Sequence, residues 1–176
     1  MIIPSFPLTG ERCHLRPWTP GDVPALVRHA NNKNVSRQMR DSFPFPYADA
    51  DGLAFIAMAA SAAPPTVLAI DVAGETCGGI GLVLRSGNER HSAEVGYWLG
   101  ESRWGQGIGA DALRLVTGYA VAVFGLIRLE AFTIATNARS CRTLEKAGYQ
   151  LEGRTRRSFV KDGIAHDQYC YGWVTE

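Results

Sequence analysis

The hydrophobic period of the chain changes twice between residues 95 and 136, and these changes predict a strand, a helix and a second strand. Apolar and aromatic residues at 95–99 suit a strand. From Ile108 to residue 124 apolar side chains recur three or four positions apart, which predicts a helix. Residues 126–136 predict the second strand, and a right-handed crossover would make it parallel to the first. We therefore expect a central βαβ unit.

Upstream of the helix at 108–124 the pattern predicts four strands and two helices. The strands are alternating or rich in β-branched residues, and they span residues 11–18, 66–73, 76–85 and 92–100, the last of which is the first strand of the central unit. The helices span residues 23–30 and 49–62, and the polar segment 31–41 has room for a short helix. In the second helix, the side chains expected to face the core are those of Leu53, Ile56, Ala57 and Ala60.

Downstream, Asn137 is placed to cap a helix over residues 138–147, and Gly148 is placed to end it. Two strands, 149–159 and 165–174, are expected to pair around the turn at 161–163. Residues 43–47 read Phe-Pro-Phe-Pro-Tyr and cannot form regular structure, because each proline removes a donor and restricts the residue before it. Their aromatic side chains would either wall a substrate pocket or pack at the surface.

The composition is that of one ordinary globular domain. The chain has 176 residues, of which 46% are hydrophobic and 20% charged, and we see no linker that divides it, so we expect a single domain over 1–176. Its 18 basic and 17 acidic residues leave no field that would gather nucleic acid or a membrane surface. Four cysteines without CxxC spacing, and no signal-peptide pattern, favour reduced thiols and the cytoplasm.

A glycine-rich turn joins the first strand of the central unit to its helix. It reads Trp104-Gly105-Gln106-Gly107-Ile108-Gly109-Ala110. Alternate glycines let successive amides turn inward, and the helix that follows adds unpaired N–H groups and the positive end of its dipole. This arrangement favours a phosphate site. The alternative is a tight connection that binds nothing.

The same turn also fits the dinucleotide fingerprint, with glycines at 105 and 107, Ala110, and the acidic Glu130 further on. That interpretation needs a repeated βαβ domain. Only 66 residues follow Ala110, and most of them are predicted to form strands without crossover helices. A dinucleotide oxidoreductase is therefore a hypothesis that we rank third, after the two given at the end of this subsection.

Several motifs, taken in order, resemble the GNAT superfamily of acetyl-CoA-dependent N-acetyltransferases. They are the glycine-rich turn followed by a helix, then Asn137-Ala138-Arg139-Ser140, and then Glu145-Lys146-Ala147-Gly148-Tyr149. The opening Arg12-x-x-Leu15-Arg16-Pro17, the Phe-Pro-Tyr segment and Glu94-x-Gly96-Tyr97-Trp98-Leu99 are similar to the Rim-type branch, which acetylates ribosomal-protein N-termini. The resemblance implies an α/β (α+β) GNAT fold: a mixed, mostly antiparallel sheet of six to seven strands, with helices on both faces.

The resemblance also implies which residues would bind acetyl-CoA, and it implies no metal. The amides of the turn would hold the pyrophosphate, the end of the preceding strand would pair with pantetheine, and polar residues of the following helix would lie beside the thioester or a phosphate. The implied cofactor-binding residues are Tyr97, Trp98, Leu99, Trp104, Gly105, Gln106, Gly107, Ile108, Gly109, Ala110, Asn137, Ser140 and Arg142.

Two positions depart from the family's pattern. The first position of the pyrophosphate motif, usually Gln or Arg, is Trp104, which removes a polar contact but keeps the amides. The tyrosine that often serves as the acid would fall at Leu144, which cannot donate a proton.

The chemistry of amine acetylation selects two catalytic candidates. Glu94 would be the base, acting through a water, or else a carboxylate that fixes a neighbouring strand or an arginine. Ser140 would help the thiolate to leave, or else bond within its own helical turn. A thiol with a pKa near 8.5 leaves readily, so a serine could suffice without a tyrosine. Cys141 has no histidine placed beside it, and the four histidines lack metal-ligand spacing.

The expected activity is transfer of acetyl to a primary amine by direct attack in a ternary complex. The α-amine of a peptide or protein is favoured, while a polyamine or an antibiotic remains open. A different class of hypothesis is a non-catalytic acyl-CoA-binding sensor, which Leu144 would suit. Exposed strand edges could also support a homodimer.

Overall fold

In the computed structural model, which describes residues 5–175, the chain forms five α-helices and eight strands. Residues 1–4 and 176 of the expected domain lie outside the described part. The helices are α1 (Val23–Ala30), α2 (Lys33–Ser36), α3 (Asp49–Ala59), α4 (Ile108–Phe124) and α5 (Ala138–Lys146). The strands are β1 (Leu8–Thr9), β2 (His14–Arg16), β3 (Val67–Val72), β4 (Glu75–Leu84), β5 (Ser92–Leu99), β6 (Arg128–Ile134), β7 (Gln150–Lys161) and β8 (Ile164–Val174).

All eight strands form one sheet in the order β1-β2-β3-β4-β5-β6-β8-β7. Only β5 and β6 pair in parallel, through the crossover helix α4, and every other neighbouring pair is antiparallel. The mixed sheet and central βαβ unit are therefore confirmed. The strand number is corrected from six or seven to eight, because β1 has only two residues and is too short to show alternation.

The sheet carries helices on both faces, as expected. Successive side chains of β5 point to opposite faces. Val95 and Leu99 pack in the core beneath α4, while Trp98 lies with α1 and α3 on the other face. None of the helices between residues 5 and 175 has the length and apolarity needed to cross a membrane.

The inward face predicted for α3 is correct at Ile56 and wrong at the other three positions. Leu53 is 55% exposed, Ala57 and Ala60 are also exposed, and the helix ends at Ala59 rather than at 62. Gly52 and Ala59 face inward together with Ile56. A Cβ at Gly52 would lie 3.5 Å from side chains of α1, so this glycine lets the two helices approach closely. Because α3 is rich in alanine, its sequence gives a weak apolar stripe.

A buried ionic network ties β2 to the start of α1 and to the β3–β4 hairpin. Arg16 donates to Asp22 at 2.7 Å and to Asp71 at 2.9 Å, and Thr76 donates to Asp22 at 2.8 Å. Burial would raise the pKa of Asp22, but Arg16, the backbone N–H of Thr19 and the Thr76 hydroxyl hold it well below its usual range. The Asp22 carboxylate therefore stays charged over the neutral and mildly acidic range.

The parallel pair β5 and β6 separates along its length. Its ladder covers only Ser92–Glu94 and Arg128–Glu130. Beyond these residues β5 continues to pair with β4, and β6 with β8, each along its opposite edge. The facing edges of residues 95–99 and 131–134 therefore form a wedge that opens at the carboxyl ends of both strands, where open α/β sheets usually bind ligands.

Candidate active site

A cavity of about 860 Å³ occupies the wedge between β5 and β6. It is lined on one side by the glycine-rich turn and the start of α5, and on the other by α3 and residues 34–44. Every predicted site residue except Gln106 lines it. The wedge therefore brings together residues that lie far apart in the sequence.

The glycine-rich turn has the conformation that an anion site needs. Gly105 and Gly107 have φ angles of +76° and +79°, in the left-handed region that favours glycine. Gly107 is the N-cap of α4, and no side chain in the described part of the chain caps this helix end. The first amides of α4 have no partner within the helix, so they are available to an anion in the cavity.

One acidic side chain in the first turn of α4 would repel such an anion, but it is held elsewhere. Asp111 is buried, and its Oδ2 accepts from the backbone N–H of Arg12 at 2.8 Å and of Cys13 at 3.2 Å. Burial would raise the pKa of Asp111, yet these backbone bonds bring it below its usual value. The carboxylate anchors the residues just before β2 to α4 and leaves the helix end open.

Gln106, which is expected to contribute its amide, does not line the cavity. Its Nε2 donates to the carbonyl of Ser102 at 2.9 Å, and the Gln106 carbonyl accepts from Arg12 at 3.2 Å. These two hydrogen bonds therefore fix the conformation of the turn. Only main-chain atoms of Gln106 remain candidates for the ligand.

Trp104 takes a structural position at the mouth of the turn. Its Nε1 donates to the carbonyl of Leu99 at 2.9 Å, and the guanidinium of Arg139 stacks 3.8 Å from its ring centroid. Arg139, which sequence reasoning did not select, thus holds a positive charge beside the anion site. Its place two residues after Asn137 was the signal that could have found it. Arg142 is exposed and also lines the cavity.

Two hydroxyl groups meet where α5 begins. Tyr97 Oη and Ser140 Oγ lie 3.1 Å apart, and Asn137 Oδ1 accepts from the backbone N–H of Ser140 at 3.2 Å. The Ser140 side chain therefore contacts β5 rather than its own helical turn. Burial raises the pKa of Tyr97, and hydrogen bonds with Ser140 and Thr143 offset this only in part, so the phenol stays protonated at neutral pH.

From the sequence, Tyr97 is expected to be a strand residue beside pantetheine, with no role for its hydroxyl. The alternation of β5 already placed Tyr97 on the same face as Val95 and Leu99, beneath α4, so the signal was present. Leu144, where the family's acid often stands, is 1% exposed in the core.

Glu94 lies in the cavity wall and forms an ion pair with an arginine. Arg40 Nη2 is 2.5 Å from Glu94 Oε1, and the Glu94 side chain is 25% exposed. The ion pair given as the alternative role of Glu94 is therefore observed. Glu94 still lines the cavity, which is where a catalytic base would have to lie.

Aromatic side chains form the wall beyond Glu94. The ring of Phe43 lies 5.3 Å from that of Tyr47 and 5.5 Å from that of Trp98. Phe43, Pro44 and Tyr47 line the cavity, while Phe45 is 46% exposed. Segment 43–47 therefore contributes to the wall with three of its five residues.

The histidines, acidic residues and cysteines are the remaining candidates for metal ligands or nucleophiles. No group of three or more His, Cys, Asp or Glu within residues 5–175 could hold a metal ion. Burial raises the pKa of Cys13 to about 12 and that of Cys77 to about 11, so neither is a thiolate at neutral pH.

The dinucleotide hypothesis is contradicted by the topology. The sheet has a single parallel pair instead of repeated βαβ units. Glu130, the acid that this hypothesis needs, bonds to Arg128 at 3.0 Å and to Arg85.

Comparisons with known proteins identify acetyltransferases as the similar proteins. The family model described as the acetyltransferase (GNAT) domain matches residues 12–150. Over 76 residues the chain is 40% identical to the Bacillus subtilis (strain 168) protein named Probable N-acetyltransferase YjcK, covering 43% of this chain and 42% of that protein. The alignments with the curated relatives span about half the length of those proteins.

Two solved structures that contain the coenzyme share the fold. Mycobacterium smegmatis RimJ in complex with CoA-disulfide has a TM-score of 0.82 at 24% identity, covering 92% of this chain and 81% of that chain. RimL, a ribosomal-protein α-N acetyltransferase in complex with coenzyme A, has a TM-score of 0.83 at 21% identity, covering 99% and 98%.

Proposed function

Because the chain belongs to the GNAT family of acetyltransferases, we propose that it transfers acetyl from acetyl-CoA to a primary amine, the α-amine of a peptide or protein N-terminus. The observation that carries the proposal is the wedge between β5 and β6, which ends at an uncapped helix terminus. The Rim-type neighbours support an N-terminal acceptor. We place the activity in the cytoplasm and in a single domain over residues 1–176.

In the proposed complex the coenzyme lies along the wedge. The amides of residues 105–110 bind the pyrophosphate, and Arg139 and Arg142 add positive charge beside it. Pantetheine, which contains two amides, pairs with the edge of β5 at residues 97–99, which β6 leaves free. Asn137 and Ser140 then lie next to the thioester.

The proposed reaction is direct attack by the amine. Its nitrogen forms a bond to the thioester carbonyl carbon, the carbon–sulfur bond breaks, and the nitrogen loses a proton to Glu94 through a water. Neutralising an α-amine at pH 7 costs about one pKa unit, roughly 1.4 kcal/mol, whereas a lysine costs over three units, or more than about 4 kcal/mol. A carboxylate base therefore suits an α-amine better than a lysine.

The departing thiolate is met by the Tyr97–Ser140 hydroxyl pair. Ser140 donates a hydrogen bond or a proton to the sulfur, and Tyr97, which stays protonated, can supply a proton to Ser140 in turn. In this proposal a phenol on β5 replaces the acid that α5 lacks at Leu144.

The test is thiol release from acetyl-CoA with N-terminal peptides, with mass spectrometry to locate the acetyl group. We expect an increase of 42 Da, the mass of an added acetyl group, on the α-amine, with turnover lowered in Glu94→Gln and in Ser140→Ala. Full turnover in both variants would disprove their roles while leaving the transfer itself intact.

Leu144 motivates one alternative, the acyl-CoA sensor. Acetyl-CoA that raises the melting temperature but stays intact across a broad amine panel would favour the sensor and contradict the transferase.

A further inference from the structure

Arg40 covers the carboxylate that the proposed function assigns to the base. Its Nη2 lies 2.5 Å from Glu94 Oε1, and its side chain is 65% exposed against 25% for Glu94. An amine or a water that binds the same oxygen competes with the guanidinium for it. What happens to Arg40 therefore bears on which amines are accepted.

The backbone of Arg40 is fixed although its side chain is exposed. The Arg40 carbonyl accepts from the N–H of Phe43 at 2.9 Å. Its neighbour Asp41 accepts from Lys161 Nζ at 3.0 Å, and the Lys161 side chain is only 9% exposed. Because an exposed ion pair contributes about 0–1 kcal/mol, the guanidinium can leave Glu94 at small cost while remaining beside the cavity.

A displaced Arg40 would find few partners in the cavity wall. Among residues 5–175 that line the cavity, Asp51 is the other carboxylate, and its Oδ2 already accepts from the N–H of Ala48 at 2.8 Å. Arg37, which is exposed, adds a second positive charge to the same side. The wall next to these arginines is aromatic, from Phe43, Tyr47 and Trp98. This end of the cavity thus offers cations and apolar surface.

We propose, on the basis of the acetyl transfer above, that the preferred acceptor is a primary amine with a carboxylate close to it. The amine displaces Arg40 from Glu94, and the acceptor's carboxylate replaces Glu94 on the guanidinium, so one ion pair is exchanged for another. A neutral acceptor leaves the guanidinium without a partner. A polyamine brings further cations towards Arg37 and Arg40.

The carboxylate can come from an acidic residue next to a peptide N-terminus or from the α-carboxylate of a free amino acid. Two matched pairs of acceptors separate these sources: the Ser-Asp-Phe and Ser-Asn-Phe tripeptide amides, and phenylalanine with its amide. Spermidine serves as the polycation. Initial rates of thiol release give kcat and KM for the wild-type chain, for Arg40→Gln, and for Arg90→Gln, which removes an exposed arginine outside the cavity lining.

In the wild-type chain and in Arg90→Gln we expect kcat/KM to be about tenfold higher for the acidic member of at least one pair, and spermidine to be the poorest acceptor. In Arg40→Gln this ratio should fall below about twofold, mainly through a higher KM of the acidic acceptor. Comparing the two chains cancels differences in amine basicity. Rates on the neutral acceptors should rise, because Arg40 no longer competes for Glu94.

Equal rates within both pairs in the wild-type chain would overturn the proposed preference, as would a preference that persists in Arg40→Gln. In both cases acetyl transfer itself would stand. If no amine is turned over while acetyl-CoA still raises the melting temperature, the transfer and the preference fall together.

Discussion

The hydroxyl oxygens of Tyr97 and Ser140 lie 3.1 Å apart, one on β5 and the other in the first turn of α5. This pair joins β5 to the start of α5, the helix that follows β6, at the point where the proposed thioester would lie. It also explains how a chain with leucine at position 144 could still protonate a departing thiolate.

If the two hydroxyls act together, Tyr97→Phe and Ser140→Ala should each lower kcat by about tenfold or more, with little change in the KM for acetyl-CoA. The double variant should be scarcely slower than the slower single variant, because residues that act as a unit are not additive. Steady-state kinetics on one peptide acceptor measure all three.

Tyr149→Phe is the matched control. Tyr149 Oη lies 2.8 Å from Thr117 Oγ1, a buried pair outside the cavity lining, so its loss should lower the free energy of unfolding by about 1 kcal/mol and leave kcat unchanged. A similar fall in kcat for Tyr149→Phe would indicate that Tyr97→Phe lowers kcat through lost stability and not through a catalytic role.

Gly107→Ala should weaken acetyl-CoA binding in addition to lowering stability. A side chain at φ +79° is strained by about 1–2 kcal/mol, and its Cβ would lie 3.0 Å from Arg12 Cδ, next to the amides of the turn. Gly74→Ala has the same kind of strain at φ +83° with nothing within 4 Å, far from the turn in sequence and outside the cavity lining. Calorimetry should show lost affinity in Gly107→Ala alone, and equal affinity losses would contradict the proposed amide site.

Arg139→Ala should raise the Kd for acetyl-CoA severalfold, because its guanidinium is held on Trp104 beside the turn. Trp104→Phe should have a smaller effect in the same direction, since a phenyl ring keeps part of the cation–π contact but loses the bond to Leu99. Arg90→Ala is the control for removing an exposed arginine. An unchanged Kd in Arg139→Ala would place the coenzyme phosphates elsewhere.

Asp22→Asn should lower the free energy of unfolding at pH 7 by about 3 kcal/mol, because it leaves Arg16 partly unpaired in a buried network. The folded pKa of Asp22 lies below its unfolded value, so its stabilisation is present above about pH 4 and is lost as the pH falls. Urea unfolding from pH 7 to pH 3 should therefore show a shallower decline for Asp22→Asn. The exposed Glu11→Gln should retain the wild-type slope, and identical slopes in all three chains would contradict the network's role.

The local pattern of the sequence was sufficient for the elements that form the wedge. The two changes of hydrophobic period located β5, α4 and β6, and the capping residue Asn137 located the start of α5. The alternation of β5 separated Trp98 from Tyr97 correctly. These features depend on backbone preferences and burial within a few residues, so a single sequence contains them.

Other features depend on how distant segments pack, and the sequence could not supply them. Arg40 reaches Glu94 across 54 positions, from a segment without regular structure. The stack of Arg139 on Trp104 depends on how α5 meets the glycine-rich turn. In α3, the choice of Gly52 over Leu53 as the inward position depends on the close approach of α1, which an alanine-rich helix does not reveal.

A crystal structure of the chain with acetyl-CoA tests the central claim most directly. We expect pyrophosphate oxygens about 2.7–3.2 Å from backbone nitrogens between residues 105 and 110, with pantetheine paired along β5 at residues 97–99. A coenzyme bound outside the wedge, or backbone nitrogens of the turn pointing away from the pyrophosphate, would contradict the account.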